Sequence, residues 1–219
     1  MAARRRGVTL LVWPQGRSFV RAHSHAFGST EFDRRADPDA RFSPLRHAGA
    51  GVGVIYGGTD DRVAAAETIF HRLPGQGRPR RVPLDRYRAW QWSEVLARRD
   101  LLLLPLDATL PGAGTLVDGN ATTYRQARAQ ASELLRDHPR IDGFVWASHQ
   151  LADEPSSVTI DIVDTGLCVL LIEDTHDRDG GVSRADLDAA GPSVPFATAE
   201  GLERLDAIGD ALDVTVVRA

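Results

Sequence analysis

The chain has 219 residues, and all 26 of its Lys and Arg positions are arginine. The absence of lysine excludes P-loop nucleotide-binding proteins, in which a lysine contacts the phosphates, and Schiff-base enzymes, which need a lysine amine. A single cysteine, Cys168, excludes a disulfide framework and a Cys-rich zinc module. With 42% hydrophobic and 26% charged residues, the composition is that of an ordinary globular protein, and we favour one domain.

Charge is distributed unevenly along the chain. Residues 1–100 carry 18 Arg against 10 acidic residues, a net charge of +8, whereas residues 101–219 carry 8 against 20, a net charge of −12. A nucleic-acid-binding protein usually concentrates a larger positive excess on one surface, so we expect no direct nucleic-acid binding. An anionic small molecule held by the first half is the better interpretation.

The N-terminal apolar run, residues 8–13, is stopped by Pro14 after about one strand's length. It is too short for a signal peptide, and no segment approaches the roughly 20 apolar residues of a membrane span. We therefore expect a cytoplasmic protein without a membrane partner.

Short apolar runs typical of β-strands alternate with few helical patterns. The strands are predicted at residues 8–12, 19–22, 52–56, 101–106, 144–147, 158–163, 167–172 and 214–217. Helices are predicted at residues 60–72, opened by capping residues, at 122–137, and more weakly at 199–212. The segment 74–83, rich in Pro, Gly and Arg, predicts an exposed loop. The sequence thus predicts an α+β fold with more strand than helix.

Glu67 lies in the apolar stripe of the first predicted helix. Val63, Ala66, Glu67 and Phe70 are spaced by three and four residues, which places this carboxylate on the inward face. A carboxylate in such a position is costly unless it is paired or functional, and an ion pair with an arginine is the structural alternative. Tyr56 precedes the helix at the end of a predicted strand, so it should lie at the same cleft edge.

Arg21 and Arg41 are arginines in unusually apolar surroundings. A guanidinium held on a short strand or a tight turn is a rigid bidentate donor for phosphate or carboxylate. A structural salt bridge is the alternative for either residue.

The order of these features resembles the RES domain, the toxin half of bacterial RES and Xre toxin-antitoxin pairs. The resemblance extends from about residue 14 to residue 172. The matching features are Arg21 within a strand, Arg41 followed by Phe42, the Gly-x-x-Tyr segment ending at Tyr56, the helix-borne Ala66-Glu67-Thr68, and the Asp-Gly-Phe-Val-Trp-Ala-Ser segment ending at Ser148.

The resemblance implies a fold like that of diphtheria-toxin-type ADP-ribosyltransferases, a split β-core with peripheral helices. It implies NAD as substrate, with cleavage of the nicotinamide-ribose bond by phosphorolysis or hydrolysis, inorganic phosphate as an optional co-substrate, and no resident cofactor or metal. Carried over by position, Arg21 and Arg41 would grip the diphosphate or phosphate, and Tyr56 would pack on nicotinamide or its ribose. Glu67 would stabilise the oxocarbenium-like transition state, while Ser148 would hold the ribose or amide.

The implied partner is an Xre-type helix-turn-helix antitoxin, and a homodimer within that complex is left open. Residues 14–190 would form the RES domain, with 1–13 and 191–219 as extensions packed on it. Arg21 is followed by Ala22 where some members carry an aromatic residue, so that contact is missing or supplied by His23 or His25. Transfer of ADP-ribose to a protein, and a degenerate nucleotide-binding module, are the alternative functions.

Overall fold

The structure is a computed structural model that describes residues 8–35, 40–70, 80–117, 121–148, 151, 159–161, 166–175 and 179–218. The strands are β1 (Leu11–Trp13), β2 (Ser18–Ser24), β3 (Leu45–His47), β4 (Ala50–Val52), β5 (Val54–Gly58), β6 (Arg81–Pro83), β7 (Trp90–Ala97), β8 (Leu101–Pro105), β9 (Gly143–Ala147), β10 (Leu167–Ile172), β11 (Leu187–Ala189), β12 (Val194–Pro195) and β13 (Thr215–Val217). The α-helices are α1 (Asp61–Thr68), α2 (Ala113–Val117), α3 (Tyr124–Asp137) and α4 (Ala199–Ala211). Short 3₁₀-helices lie at Leu84–Tyr87, Ala121–Thr123 and Arg184–Asp186.

The main sheet has the strand order β1-β8-β9-β10-β5-β2-β7-β11, with β12 also paired to β7. Its pairing is weak at one point, because β2 and β5 share only the register pair Val20 with Gly58. By contrast, β2 and β7 share seven pairs, and β5 and β10 share five. The sheet therefore splits between β5 and β2, and the predicted α+β fold with a split β-core is confirmed.

Helix α1 begins directly on the end of β5, at the split. Asp60 caps the helix by accepting a hydrogen bond from the Val63 N–H at 2.8 Å. A Cβ atom on Gly58 would lie 2.7 Å from the Ala64 nitrogen, so only glycine permits this close approach. The strand-glycine-helix sequence thus fixes α1 over the opening between the two halves of the sheet.

Two apolar clusters stabilise the fold. The larger one fills the sheet half built from β1, β8, β9, β10 and β5 and includes Trp13, Phe42 and Phe144, all fully buried. The smaller one lies between α1, β7 and α4 and includes Phe70, Trp92, Phe196 and Leu205. The C-terminal helix, predicted only weakly, is therefore an integral layer of the second cluster.

Several predicted elements differ in extent. The predicted strand 52–56 is two strands, because β4 ends at Val52 and β5 begins at Val54. A Cβ on the intervening Gly53 would lie 2.9 Å from the Phe32 Cβ, so a side chain at this position would require the neighbouring chain to shift. Of the predicted strand 158–163, residues 159–161 are described and lie outside any strand, while the others lie outside the described residues.

Local patterns also misplaced the segments around residues 69–97. The first helix ends at Thr68 rather than at residue 72, and residues 71–79 lie outside the described residues. The prediction of an exposed loop is wrong for its last four residues, 80–83. Arg80 is buried and donates a hydrogen bond to the Leu212 carbonyl at 2.8 Å. Arg81–Pro83 forms β6, which pairs in parallel with β13. The strand β7 was missed because its buried Ser93 looks polar in sequence.

Within the described part of the chain, no helix combines the length and apolar character that a membrane crossing requires.

Candidate functional site

A cavity of about 260 Å³ opens where the sheet splits. Seventeen of its nineteen lining residues come from the first hundred positions, and the two others are Tyr124 and Trp146. The wall carries four arginines, Arg21, Arg35, Arg41 and Arg86, against two carboxylates, Asp33 and Glu67. This positive excess favours an anionic ligand, which agrees with the charge asymmetry of the sequence.

Glu67 reaches the cavity from the last turn of α1 and is half-buried. The Ser148 hydroxyl donates a hydrogen bond to Glu67 Oε1 at 2.8 Å. Ser148 follows β9 and is only 1% exposed, so it lies behind Glu67 rather than on the wall. The carboxylate is thus held from the protein side, with its other face toward the cavity.

Cys168 lies beneath this pair on β10 and is fully buried. Burial, together with the nearby Glu67 carboxylate, raises the pKa of the Cys168 thiol well above its ordinary value. The thiol is therefore neutral at physiological pH and is unsuited to act as a nucleophile.

Tyr56 lines the cavity from β5 and orders the turn that carries Arg41. Its hydroxyl accepts a hydrogen bond at 2.9 Å from the backbone N–H of Phe42, a residue with no exposed surface. Phe42 in turn packs edge-on against Trp146, with ring centroids 5.4 Å apart. The turn is therefore fixed to the sheet through two aromatic residues.

Arg41 projects into the cavity from this turn. Its Nη1 donates to the carbonyls of Leu116, at 3.1 Å, and Val117, at the C-terminal end of α2, and its guanidinium carbon lies 5.7 Å from the centroid of the Tyr124 ring. Among the described residues, no hydrogen bond engages its Nε or Nη2. Arg41 is anchored at one end and retains donors for an anion.

Arg21 is buried on β2 and faces a short loop. Its Nη groups donate to the carbonyls of Gly28, Ser29 and Glu31, and its Nε is buried without a partner among the described residues. Desolvation lowers the pKa of Arg21 to about 10, although Asp33 and Glu31 oppose that shift. Most of its donors hold the loop at the cavity wall, and the predicted role of Arg21 as a phosphate ligand stays a prediction.

His23, two residues further along β2, also lines the cavity and is 7% exposed. Its Nε2 lies 2.8 Å from the Ser93 hydroxyl and its Nδ1 lies 3.0 Å from the Ser24 carbonyl. Burial and the Arg21 charge lower the pKa of His23 to about 4. It is a neutral wall residue next to Ala22, whereas His25 is exposed and lies outside the wall.

The outer rim of the cavity was not predicted from the sequence. This rim is formed by Phe27, Arg35, Arg86, Tyr87 and Trp90. The alternation of arginine and aromatic residues at 86–92 was the available signal, but it follows a segment predicted to be an exposed loop.

The four wall residues predicted from sequence, Arg21, Arg41, Tyr56 and Glu67, thus meet at one cavity, with Ser148 bonded to the last. A fixed carboxylate beside donors for an anion can stabilise positive charge on a substrate that also carries negative groups.

Comparison with solved structures supports the fold assignment. The chain is similar to a chain in the crystal structure of the M. tuberculosis MbcT-MbcA toxin-antitoxin complex, with a TM-score of 0.55 and 12% sequence identity. The superposition covers 89% of this chain and 90% of the other. No curated protein sequence is significantly similar to this chain.

The sequence itself matches the model of one protein family, described as the RES domain, over residues 18–197. That range includes all five predicted site residues and every strand of the main sheet except β1. The chain belongs to the RES domain family.

Proposed function

We propose that the protein is the toxin of a toxin-antitoxin pair and that it consumes NAD by cleaving the nicotinamide-ribose bond. The observation that carries this proposal is the Glu67 carboxylate, held by Ser148 at 2.8 Å, in a cavity whose wall has more arginines than carboxylates. Such a site suits a substrate with a cationic reacting end and an anionic diphosphate.

The reaction needs charge stabilisation more than proton transfer. The bond between the ribose carbon and the nicotinamide nitrogen breaks, its electron pair stays on the ring nitrogen, and nicotinamide leaves as a neutral molecule. The ribose carbon then carries oxocarbenium-like positive charge, which the Glu67 carboxylate stabilises from close range. No general acid is required for the leaving group.

The acceptor completes the reaction with one new C–O bond. Attack by water, followed by loss of a proton, would give ADP-ribose. Attack by inorganic phosphate would give ADP-ribose that carries a phosphate on the ribose carbon from which nicotinamide left. Arg41, with donors left over from its contacts to Leu116 and Val117, is suited to hold either the diphosphate or the incoming phosphate. Tyr56 would pack against the nicotinamide ribose, and Ser148 would act through Glu67.

An antitoxin partner is part of the proposal. The similar chain of known structure was solved as a toxin-antitoxin complex, which supports a partner of that kind for this chain. We propose an Xre-type helix-turn-helix antitoxin that covers the cavity.

The deciding experiment compares the parent protein with the variant Glu67→Gln, which keeps the shape of the side chain and removes its charge. Purified protein is incubated with NAD, with and without inorganic phosphate, and the products are identified by mass spectrometry. We expect Glu67→Gln to lower NAD turnover by about a hundredfold or more, because the negative charge that stabilises the positively charged transition state is gone. Glu133→Gln, an exposed change on α3, is the matched control and should match the parent.

The products separate the alternatives. Phosphate dependence would identify phosphorolysis, and free ADP-ribose would identify hydrolysis. A label from NAD that appears on a protein would instead support ADP-ribosyl transfer. Binding of NAD without loss of NAD, equal in parent and Glu67→Gln, would refute the enzyme and leave a nucleotide-binding module.

A further inference from the structure

Arg86 differs from the other three arginines of the cavity wall. Arg21 and Arg41 donate to backbone carbonyls, and Arg35 forms an ion pair with Asp33 at 2.9 Å. Arg86, exposed on the 3₁₀-helix Leu84–Tyr87, has neither a hydrogen bond nor an ion pair with any residue that the structure describes. Its charge is therefore available to a ligand in the outer part of the cavity.

The segment that carries Arg86 is linked to the helix that carries Glu67 through the neighbouring Tyr87. The hydroxyl of Tyr87, next to Arg86, donates to the carbonyl of Ile69 at 3.2 Å, just beyond the end of α1. Glu67 lies in the last turn of the same helix and lines the same cavity. Arg86 and the reacting carboxylate thus belong to one continuous wall, Arg86 on its exposed side.

Aromatic rings line the same part of the cavity as Arg86. Trp90 is half-buried and packs edge-on against Tyr87, with ring centroids 5.2 Å apart, and β-pairing with Ser24 fixes its backbone. Phe27, on the loop held by Arg21, is also half-buried and lies under the Arg35 guanidinium at 4.4 Å. Rigid aromatic faces on the same wall as an arginine that has no partner among the described residues suit a heteroaromatic base joined to a phosphate.

We propose that this rim, formed by Phe27, Arg35, Arg86, Tyr87 and Trp90, is a second subsite that binds the adenosine-phosphate half of the dinucleotide. Arg86 holds the phosphate of that half and Trp90 offers its ring to the adenine. The inference rests on the proposed function, since it assumes that the nicotinamide ribose lies at Glu67. Binding energy from this remote half would hold the reacting bond in place, which makes Arg86 a positioning residue for a dinucleotide substrate.

Inorganic phosphate shares the chemistry of the nucleotide phosphate, so the test must separate the two sources. The probes are AMP, adenosine, nicotinamide mononucleotide and inorganic phosphate, with binding measured by calorimetry. The proteins carry Glu67→Gln to prevent turnover, with either Arg86→Gln or Arg88→Gln added. Arg88 is a matched control because it is exposed, forms an ion pair with Asp85 at 2.5 Å and lies outside the cavity wall.

We expect Arg86→Gln to weaken AMP binding about tenfold, the effect of losing one charge-assisted hydrogen bond. Binding of nicotinamide mononucleotide should change less than about twofold, and Arg88→Gln should change neither affinity. The assignment is overturned if AMP binds the protein with Arg86→Gln added as well as it binds the protein with Glu67→Gln alone, or if the mononucleotide loses as much affinity as AMP. The rim would be a simple phosphate site if adenosine does not bind measurably and if Arg86→Gln weakens the binding of AMP and of inorganic phosphate equally. That result would also overturn the assignment.

Tryptophan fluorescence gives an independent readout. Trp13 and Trp92 are at most 1% exposed and lie outside the cavity wall, and Trp146, which lines the cavity, is only 1% exposed. Quenching by a base bound at the rim should therefore come mainly from the half-buried Trp90. AMP should quench the parent, and Trp90→Phe should remove most of that change. An AMP-dependent signal that persists in Trp90→Phe would refute the role of Trp90.

The two proposals fail in different ways. A parent protein that binds AMP through Arg86 yet leaves NAD intact would refute the reaction and retain the subsite. If the parent consumes NAD but Arg86→Gln leaves AMP binding unchanged, the subsite is refuted and the reaction is retained.

Discussion

Ser148 donates a hydrogen bond at 2.8 Å to Glu67, a residue 81 positions earlier in the chain. The two are brought together because β10 pairs with both β9 and β5, which places the residue after β9 beneath the helix that follows β5. The contact joins the last two matching segments of the RES resemblance, Ala66-Glu67-Thr68 and the segment ending at Ser148, into one site. It also means that Ser148 can influence chemistry without touching the substrate.

Ser148→Ala should reduce NAD turnover about tenfold to a hundredfold, because a hydrogen bond to a charged group is worth about 1.5–3 kcal/mol. The loss should appear in kcat more than in KM, since the carboxylate loses its orientation and the substrate contacts remain. Ser18→Ala is the control, because Ser18 donates to the exposed Glu94 at 2.6 Å, away from the cavity. Equal turnover in both variants would contradict the positioning role.

Tyr56→Phe tests the link between β5 and the Arg41 turn. Without the hydroxyl, the fully buried N–H of Phe42 loses its acceptor, at a cost of about 1–3 kcal/mol in the free energy of unfolding. Urea titration measures that loss, and steady-state kinetics should show a higher KM for NAD because Arg41 is less well placed. A change below about 0.5 kcal/mol would show that the hydrogen bond contributes little.

His23 predicts a specific dependence of stability on pH. Its pKa is lowered from 6.5 to about 4 in the folded protein, so between these values the unfolded chain binds more protons. Stability should therefore fall as the pH drops from 6.5 toward 4, by at most about 3 kcal/mol from this residue. Its contribution is intact above pH 6.5, where His23 is neutral in both states.

The measurement is denaturant unfolding at pH 7, 6, 5 and 4 for the parent and for His23→Gln, which still can accept from Ser93. The parent should lose more stability than His23→Gln over this interval. His25→Gln, at an exposed position, should follow the parent. If the free energy of unfolding changes with pH to the same extent in the parent and in His23→Gln, His23 is not the source of the pH dependence.

Asp142 should be important for stability rather than for the reaction. It is 3% exposed and accepts two hydrogen bonds from Arg99 at 2.8 Å each, with further bonds from the N–H groups of Leu102 and Gly181. Breaking such a pair should cost about 3 kcal/mol in Asp142→Asn. Thermal unfolding measures this cost.

The neighbouring pair provides the control for this prediction. Arg98 and Asp188 are 3.4 Å apart, and both side chains are more than half exposed, so Asp188→Asn should change the free energy of unfolding by less than about 1 kcal/mol. Similar losses in the two variants would show that burial does not distinguish the pairs.

The amino-acid sequence determined the features that depend on near neighbours. Helical spacing placed Glu67 on the inward face of α1, and the Gly57-Gly58 pair marked the point where the helix starts against the strand. The charge difference between the two halves predicted an anion site in the first. These features are readable because periodicity, capping and glycine requirements act within a few residues.

Tertiary structure alone decided which residues meet across long stretches of chain. It placed Ser148 behind Glu67, directed Arg21 to the carbonyls of a loop, and put Arg86 and Trp90 on one cavity wall. It also put the polar-looking strand β7 in the interior of the sheet, where Ser93 bonds to His23. Such contacts depend on strand register and on where the sheet splits, and both are set by packing over the whole domain rather than by local pattern.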